Sequence, residues 1–201
     1  MTSSTPFACK LFGSLTSPYV RRVRALAVEL GLPVQFVDTT SAAGQAELRT
    51  MNPLWKIPAA DINGELYLDS ASILNALSGH AEAVAFDANS LKPDQRAALQ
   101  VLDGAMDALI NTMYLAREGA QPEQYPYLAK QKARARSSML WLEHRATLFS
   151  KQDFGVLELG LCTALGWMEF RNAFPLQDTP QLQALHHAHA SRQSMLSTKP
   201  S

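Results

Sequence analysis

Asn63-Gly64 lies between two apolar segments, KIPAADI (56–62) and ELYLD (65–69). Two residues that accept positive φ, placed between runs of strand-forming residues, close a tight antiparallel hairpin. Upstream, ACKLFG (8–13) and VQFVDT (34–39) read as two further strands. From Pro18 to Leu30 the apolar residues fall at 19, 20, 23, 26, 27 and 30. That is a helical spacing, and it stops at Gly31, a residue suited to the position after a helix end. Residues 41–52 give a short helical or irregular stretch, and a helix is expected from Ser70 to Leu77. The order β-α-β-α-β-β-α implies a small mixed α/β sheet with helices on its faces.

Beyond Gly79 the character of the chain changes. HAEAVAFDANSLKPD reads as a linker, and no convincing strand follows it. Helices are predicted over approximately 94–117, 126–147, 155–168 and 180–195. The expected organisation is an α/β domain over 8–81, a linker over 82–92 and an all-helical domain over 93–201. The chain is 47% hydrophobic and carries 18 basic against 18 acidic residues, a balance that holds in each half. A globular core is expected, and a general nucleic-acid or acidic-membrane binder is not. The opening MTSSTPFACK lacks the basic and apolar regions of a secretory signal, and no apolar run approaches membrane-spanning length. Two distant cysteines, Cys9 and Cys162, suggest reduced thiols in the cytoplasm.

Three pieces of the first domain carry polar chemistry at element boundaries. Ser17-Pro18-Tyr19 opens the first helix, where Ser is a favoured N-cap and Pro a favoured first residue. A helix N-terminus also attracts negative charge, so the same serine can cap the helix or face an anionic ligand. Asn52-Pro53-Leu54-Trp55-Lys56-Ile57-Pro58 ends in a proline at a strand start. A cis bond there lets the N–H and C=O of Ile57 face a ligand, whereas a trans bond leaves an ordinary loop. Asp69-Ser70 leaves the hairpin and opens a helix, and simple capping accounts for it when it is taken alone.

Taken together, SPYVRRVR after the first strand, NPLWKIP before the third, DS after the fourth and the helical region that follows resemble the glutathione transferase family in its bacterial soluble branch. The resemblance covers nearly the whole chain. It implies a thioredoxin-like first domain in which Pro58 is cis, the Ile57 backbone pairs with the cysteinyl part of glutathione, and Asp69-Ser70 holds its γ-glutamyl end. Lys56 can reach the glycyl carboxylate. Ser17 stands where thiol-disulfide relatives carry their reactive cysteine, and Val20 where they carry the second. A hydroxyl can stabilise a thiolate but cannot form a mixed disulfide, so transferase chemistry is favoured over glutaredoxin-like chemistry. Thr16 and Tyr19 also carry hydroxyls near this point.

The leading reading is a cytoplasmic, homodimeric glutathione transferase that conjugates the glutathione thiolate to a small apolar electrophile, in a detoxification role. Ser17 is the expected catalytic residue, and Ser17, Lys56, Ile57, Pro58, Asp69 and Ser70 are the expected glutathione contacts. Glutathione enters as co-substrate, with no other cofactor and no metal. Met106, Ile110, Met113, Tyr114 and Trp167 are candidate lining for the electrophile, with helical core as the competing role. A non-catalytic glutathione-binding protein of the same fold, or a glutathione-dependent isomerase or lyase, are the alternatives. His186, His187 and His189 fall on different helix faces and read as a solvated surface, as do Lys130, Lys132, Arg134 and Arg136. Arg21, Arg22 and Arg24 read as helix-surface or subunit contacts.

Overall fold

A computed structural model describes residues 7–121 and 124–200. The opening residues bearing on a signal segment lie outside these apart from Phe7-Ala8-Cys9-Lys10. The chain forms β1 (Cys9–Gly13), α1 (Pro18–Glu29), β2 (Gln35–Asp38), α2 (Ala42–Met51), β3 (Ala59–Ile62), β4 (Glu65–Tyr67) and α3 (Ser70–His80). There follow α4 (Pro93–Arg117), α5 (Pro126–Glu143), α6 (Val156–Arg171), α7 (Pro180–His189) and α8 (Gln193–Ser197). Two compact units result: one takes the chain up to Ser90 together with Arg192 onward, the other spans Leu91–Ser191.

In the first unit the strands lie in the order β2-β1-β3-β4. β1 and β2 are parallel, while β3 runs antiparallel to both β1 and β4. The β3–β4 turn is made by Asn63 at φ 54° and Gly64 at φ 88°, the double positive-φ geometry that suits a two-residue hairpin. α1 stops as its sequence suggests: Gly31 sits at φ 63°, Leu32 N–H donates to Ala27 O at 2.9 Å, and Gly31 N–H donates to Val28 O at 3.2 Å. Leu11, Phe12, Val20, Val23, Leu26, Ala59, Ala60 and Ile73 form the buried interior around the sheet.

The helical tail departs from the sequence reading. The helix expected over 180–195 is two helices, because Arg192 is extended at φ −63°, ψ 140°. After that break the chain belongs with the first unit, so the predicted second domain ends near Ser191 rather than at residue 201. The reason is a set of specific polar contacts. Arg192 donates to both Glu29 carboxylate oxygens at 2.9 and 2.6 Å, Ser194 donates to the same carboxylate, and Arg21 Nη2 donates to Met195 O at 3.1 Å. Arg21 is thus buried, and Arg22 beside it is buried as well, so neither is a helix-surface residue. A guanidinium goes below a surface only when partners such as these replace water.

The second unit is built on α6, whose residues Val156–Met168 are all buried. Glycine precedes it, and Glu158 supplies the missing cap, accepting from Gly155 N–H at 3.1 Å and Ser150 N–H at 2.9 Å. His186 and His189 correct the solvated reading. Both are buried, with His189 2.9 Å from Ser150 O and His186 3.7 Å from the Glu169 carboxylate, and only His187 is exposed. Lys130, Lys132, Arg134 and Arg136 are exposed as expected. Among the described residues no group of three or more His, Cys, Asp or Glu is placed to hold a metal ion. Nor is any described helix long and apolar enough to cross a membrane.

Cys9 and Cys162 are buried in different units and neither is in a disulfide. Burial, and then the Asp61 carboxylate, push the Cys9 thiol up to about 11. An unfolded thiol ionises at lower pH, so between roughly pH 9 and 11 the native state binds more protons than the unfolded one. Stability contributed by the neutral thiol is therefore present below that window and lost as pH rises through it. Denaturant titrations of wild type and Cys9→Ala across pH 8–11 should show a steeper loss in wild type. Parallel curves would contradict this account of Cys9.

Candidate functional site

The strand directions decide which loops meet. Phe12 of β1 faces Ala59 of β3, and Ala60 of β3 faces Tyr67 of β4. The C-terminal end of β1, the N-terminal end of β3 and the C-terminal end of β4 therefore lie at one end of the sheet. Ser17 follows β1, Ile57-Pro58 precedes β3 and Asp69-Ser70 follows β4. Adjacent strands are spaced about 4.8 Å apart, so the three pieces fall within roughly 10 Å across the sheet. All three pieces singled out in the sequence thus share one end of one sheet.

Ser17 is the N-cap of α1, extended at φ −81°, ψ 128°, and its Oγ accepts from Val20 N–H at 3.3 Å. The capping bond uses a lone pair, which leaves the hydroxyl proton available to donate. The two roles weighed for this serine are compatible. Thr16 differs, since its hydroxyl lies 3.0 Å from Ser14 Oγ and is paired within the loop. Tyr19 sits half-buried with the Arg22 guanidinium 5.4 Å from its ring centre. No acidic residue occupies the first turn of α1, so nothing in that turn offsets the positive end of the helix dipole.

The Ile57–Pro58 bond is cis, as the family resemblance implies. Among the described residues neither the N–H nor the C=O of Ile57 is taken up by another protein group. Both lie in the loop at the end of the sheet where β3 begins. The preceding loop passes through Trp55 at φ 53°, a left-handed conformation unusual for a bulky residue. Trp55 is 62% exposed and the Arg49 guanidinium lies 4.8 Å from its ring centre. Lys56 is exposed. Asp69 is the N-cap of α3, with Oδ1 accepting from Ser72 N–H at 2.7 Å, and Ser70 is the first residue of that helix. Asp69 is exposed and Ser70 half-buried.

Two residues to which the sequence reading gave no role position these groups. Asn52 is fully buried, accepting from Leu54 N–H at 2.8 Å and donating from Nδ2 to Lys56 O at 2.8 Å. An Asn preceding Pro is a known turn signal, but its buried second bond is not visible in a sequence. Gly13 ends β1 where α1 crosses closely. A Cβ there would lie 2.6 Å from both Val20 Cγ atoms. The electrophile-lining candidates divide as well. Met106 and Trp167 are buried in the second unit's core, Ile110 and Met113 are half-buried, and Tyr114 is 58% exposed.

Residues 11–84 match the family model described as "Glutathione S-transferase, N-terminal domain". The chain is 29% identical, over 95% of its length and 98% of the relative's, to the uncharacterized glutathione-transferase-like protein YibF of Escherichia coli K12. A glutathione transferase family member from Pseudomonas fluorescens Pf-5, solved with bound glutathione, is 26% identical with a TM-score of 0.78, covering 96% of this chain and 100% of that one. A glutathione S-transferase from Methylobacillus flagellatus KT, solved with glutathione bound, is 24% identical with a TM-score of 0.82 over the same shares. The fold is that of the glutathione transferases, a thioredoxin-like sheet followed by a helical region.

The Gly13 contact yields a direct test of how α1 is seated. Gly13→Ala should destabilise the protein by about 1–3 kcal/mol, because Val20 is fully buried and cannot yield space. Val20→Ala should remove the clash, so a double-mutant cycle by denaturant unfolding should show favourable coupling between the two changes. Additive effects would mean that this contact does not seat the helix.

Proposed function

Because the chain belongs to the glutathione transferase family, we propose that it binds glutathione at the shared end of β1, β3 and β4 and activates its thiol for transfer. The observation that carries this reading is the alignment of Ser70, Ile57 and Ser17 on successive loops at one sheet end. An extended tripeptide spans roughly 10 Å, comparable to two strand spacings. The glutathione-bound structural relative from Pseudomonas fluorescens supports the choice of ligand.

Each part of the ligand meets a group suited to it. The γ-glutamyl carboxylate takes the Ser70 hydroxyl and the N–H groups opening α3, and the ammonium takes the Asp69 carboxylate oxygen not used in capping. The cysteinyl N–H and C=O pair with the C=O and N–H of Ile57, a short strand-like backbone pairing in the loop that enters β3. Lys56 takes the glycyl carboxylate. That placement brings the sulfur to the N-terminus of α1, where the Ser17 hydroxyl donates to it.

The chemistry follows from charge. A thiolate accepting from Ser17 at the positive end of α1 is stabilised relative to the thiol, so the sulfur ionises at lower pH and its proton leaves to water. The thiolate then attacks an electrophilic carbon, forming the S–C bond while the leaving group departs or the electron pair moves onto an adjacent acceptor. We take the acceptor to be small and apolar. Serine cannot form the mixed disulfide that a reductase needs. The reducing cytoplasm, where glutathione is held as the thiol, is the setting this reading requires, and a second copy of the chain is the expected partner.

Paired substitutions separate binding from activation. Ser70→Ala should weaken glutathione binding about ten- to a hundredfold, the worth of a hydrogen bond to a charged group, as measured by calorimetry. Ser17→Ala should raise the pKa of the bound thiol, followed by thiolate absorbance against pH, and lower conjugation turnover with a smaller effect on affinity. Glutathione binding without conjugation in wild type would favour the non-catalytic alternative. Unchanged thiol pKa and turnover in Ser17→Ala would reduce Ser17 to a helix cap.

A further inference from the structure

We infer that Asn52 is a positioning residue that aims the Ile57 N–H at the cysteinyl carbonyl of glutathione, an inference that rests on the glutathione reading above. The peptide unit joining Lys56 and Ile57 sets the direction of this donor. The cis bond in this loop is the next one, Ile57–Pro58, and the Lys56–Ile57 unit is trans. In a planar trans unit the C=O and N–H point in opposite directions. Asn52 Nδ2 holds the Lys56 carbonyl oxygen at 2.8 Å. The Ile57 N–H at the other side of that unit is therefore directed away from Asn52.

Asn52 is itself anchored well enough to do this. It is fully buried, its N–H donates to Leu48 O at 2.8 Å at the end of α2, and its Oδ1 accepts from Leu54 N–H. Trp55 N–H donates to Asn52 O at 3.1 Å, which closes the turn between the two side-chain bonds. Donor and acceptor ends of one amide thus fix both sides of the loop. Only a side chain carrying both functions at this length can do so, since a carboxylate lacks the donor and a serine lacks the reach. Away from Asn52, the Ile57 N–H meets no protein group among the described residues. It is a donor in the loop that enters β3, with its direction already set before a ligand arrives.

The test compares glutathione with an analogue in which an ester replaces the cysteinyl–glycine amide, a change that weakens this carbonyl as an acceptor. Calorimetry on the full chain should show wild type preferring glutathione about fivefold. Asn52→Asp keeps the acceptor for Leu54 N–H but sets a carboxylate oxygen against the Lys56 carbonyl. It should bind glutathione about tenfold more weakly and reduce the preference to within about twofold. Asn52→Ser, which can still accept from Leu54 N–H, provides the same comparison if the Asp variant does not fold. Weakened binding with the fivefold preference intact would show a merely structural role and overturn the inference, as would unchanged binding. Wild type that binds neither ligand would instead overturn the glutathione reading itself.

Discussion

The antiparallel pairing of β3 with both β1 and β4 is the constraint on which the candidate site depends. Backbone ladders fix strand direction, and direction fixes which loops emerge together. Were β3 parallel to β1, the Ile57-Pro58 junction would open at the opposite end of the sheet from Ser17. Instead Phe12 sits across from Ala59 and Ala60 across from Tyr67, and three loops converge. The close seating of α1 on this frame needs the missing Cβ of Gly13. Its far side is held by the Glu29–Arg192–Ser194 contacts, which draw the end of the chain back onto the first unit.

Within that frame the groups proposed to meet glutathione come from both backbone and side chains. Two helix N-termini and the loop at Ile57 present N–H donors and one carbonyl, and the side chains of Ser17, Lys56, Asp69 and Ser70 add the remaining proposed contacts. This has a consequence for specificity. A tripeptide with a carboxylate at each end and an extended middle is the ligand proposed for such an arrangement. In the second unit several of the residues weighed from the sequence are already engaged. Met106 and Trp167 are committed to its core, and His186 and His189 to its packing.

The parts of this architecture visible in the sequence were those set by local backbone demands. Asn63-Gly64 specifies positive φ twice, Gly31 specifies a left-handed helix end, and Ser17, Asp69 and the prolines mark helix starts, so the elements and their order could be read directly. What escaped were effects of long-range partners. Arg21 looks like a surface cation until the tail after Arg192 meets it, and the break before α8 goes with the same docking, while the burial of Arg22 is equally invisible in the sequence. His186 and His189 have surface composition but buried neighbours. Asn52 stood inside a motif already noticed, yet its role depends on where Lys56 O lies after the loop has folded. The grouping of Ser17, Ile57 and Ser70 came from resemblance to a family, and the strand register now supplies a physical reason for it.

Amide chemical shifts of isotope-labelled protein, followed by NMR during a glutathione titration, test the central claim most directly. The account predicts saturable changes concentrated on the backbone N–H groups of Ser17, Tyr19, Ile57 and Ser70, all fitting one dissociation constant. Changes that saturate elsewhere while these four remain still would contradict a glutathione site at the shared end of β1, β3 and β4.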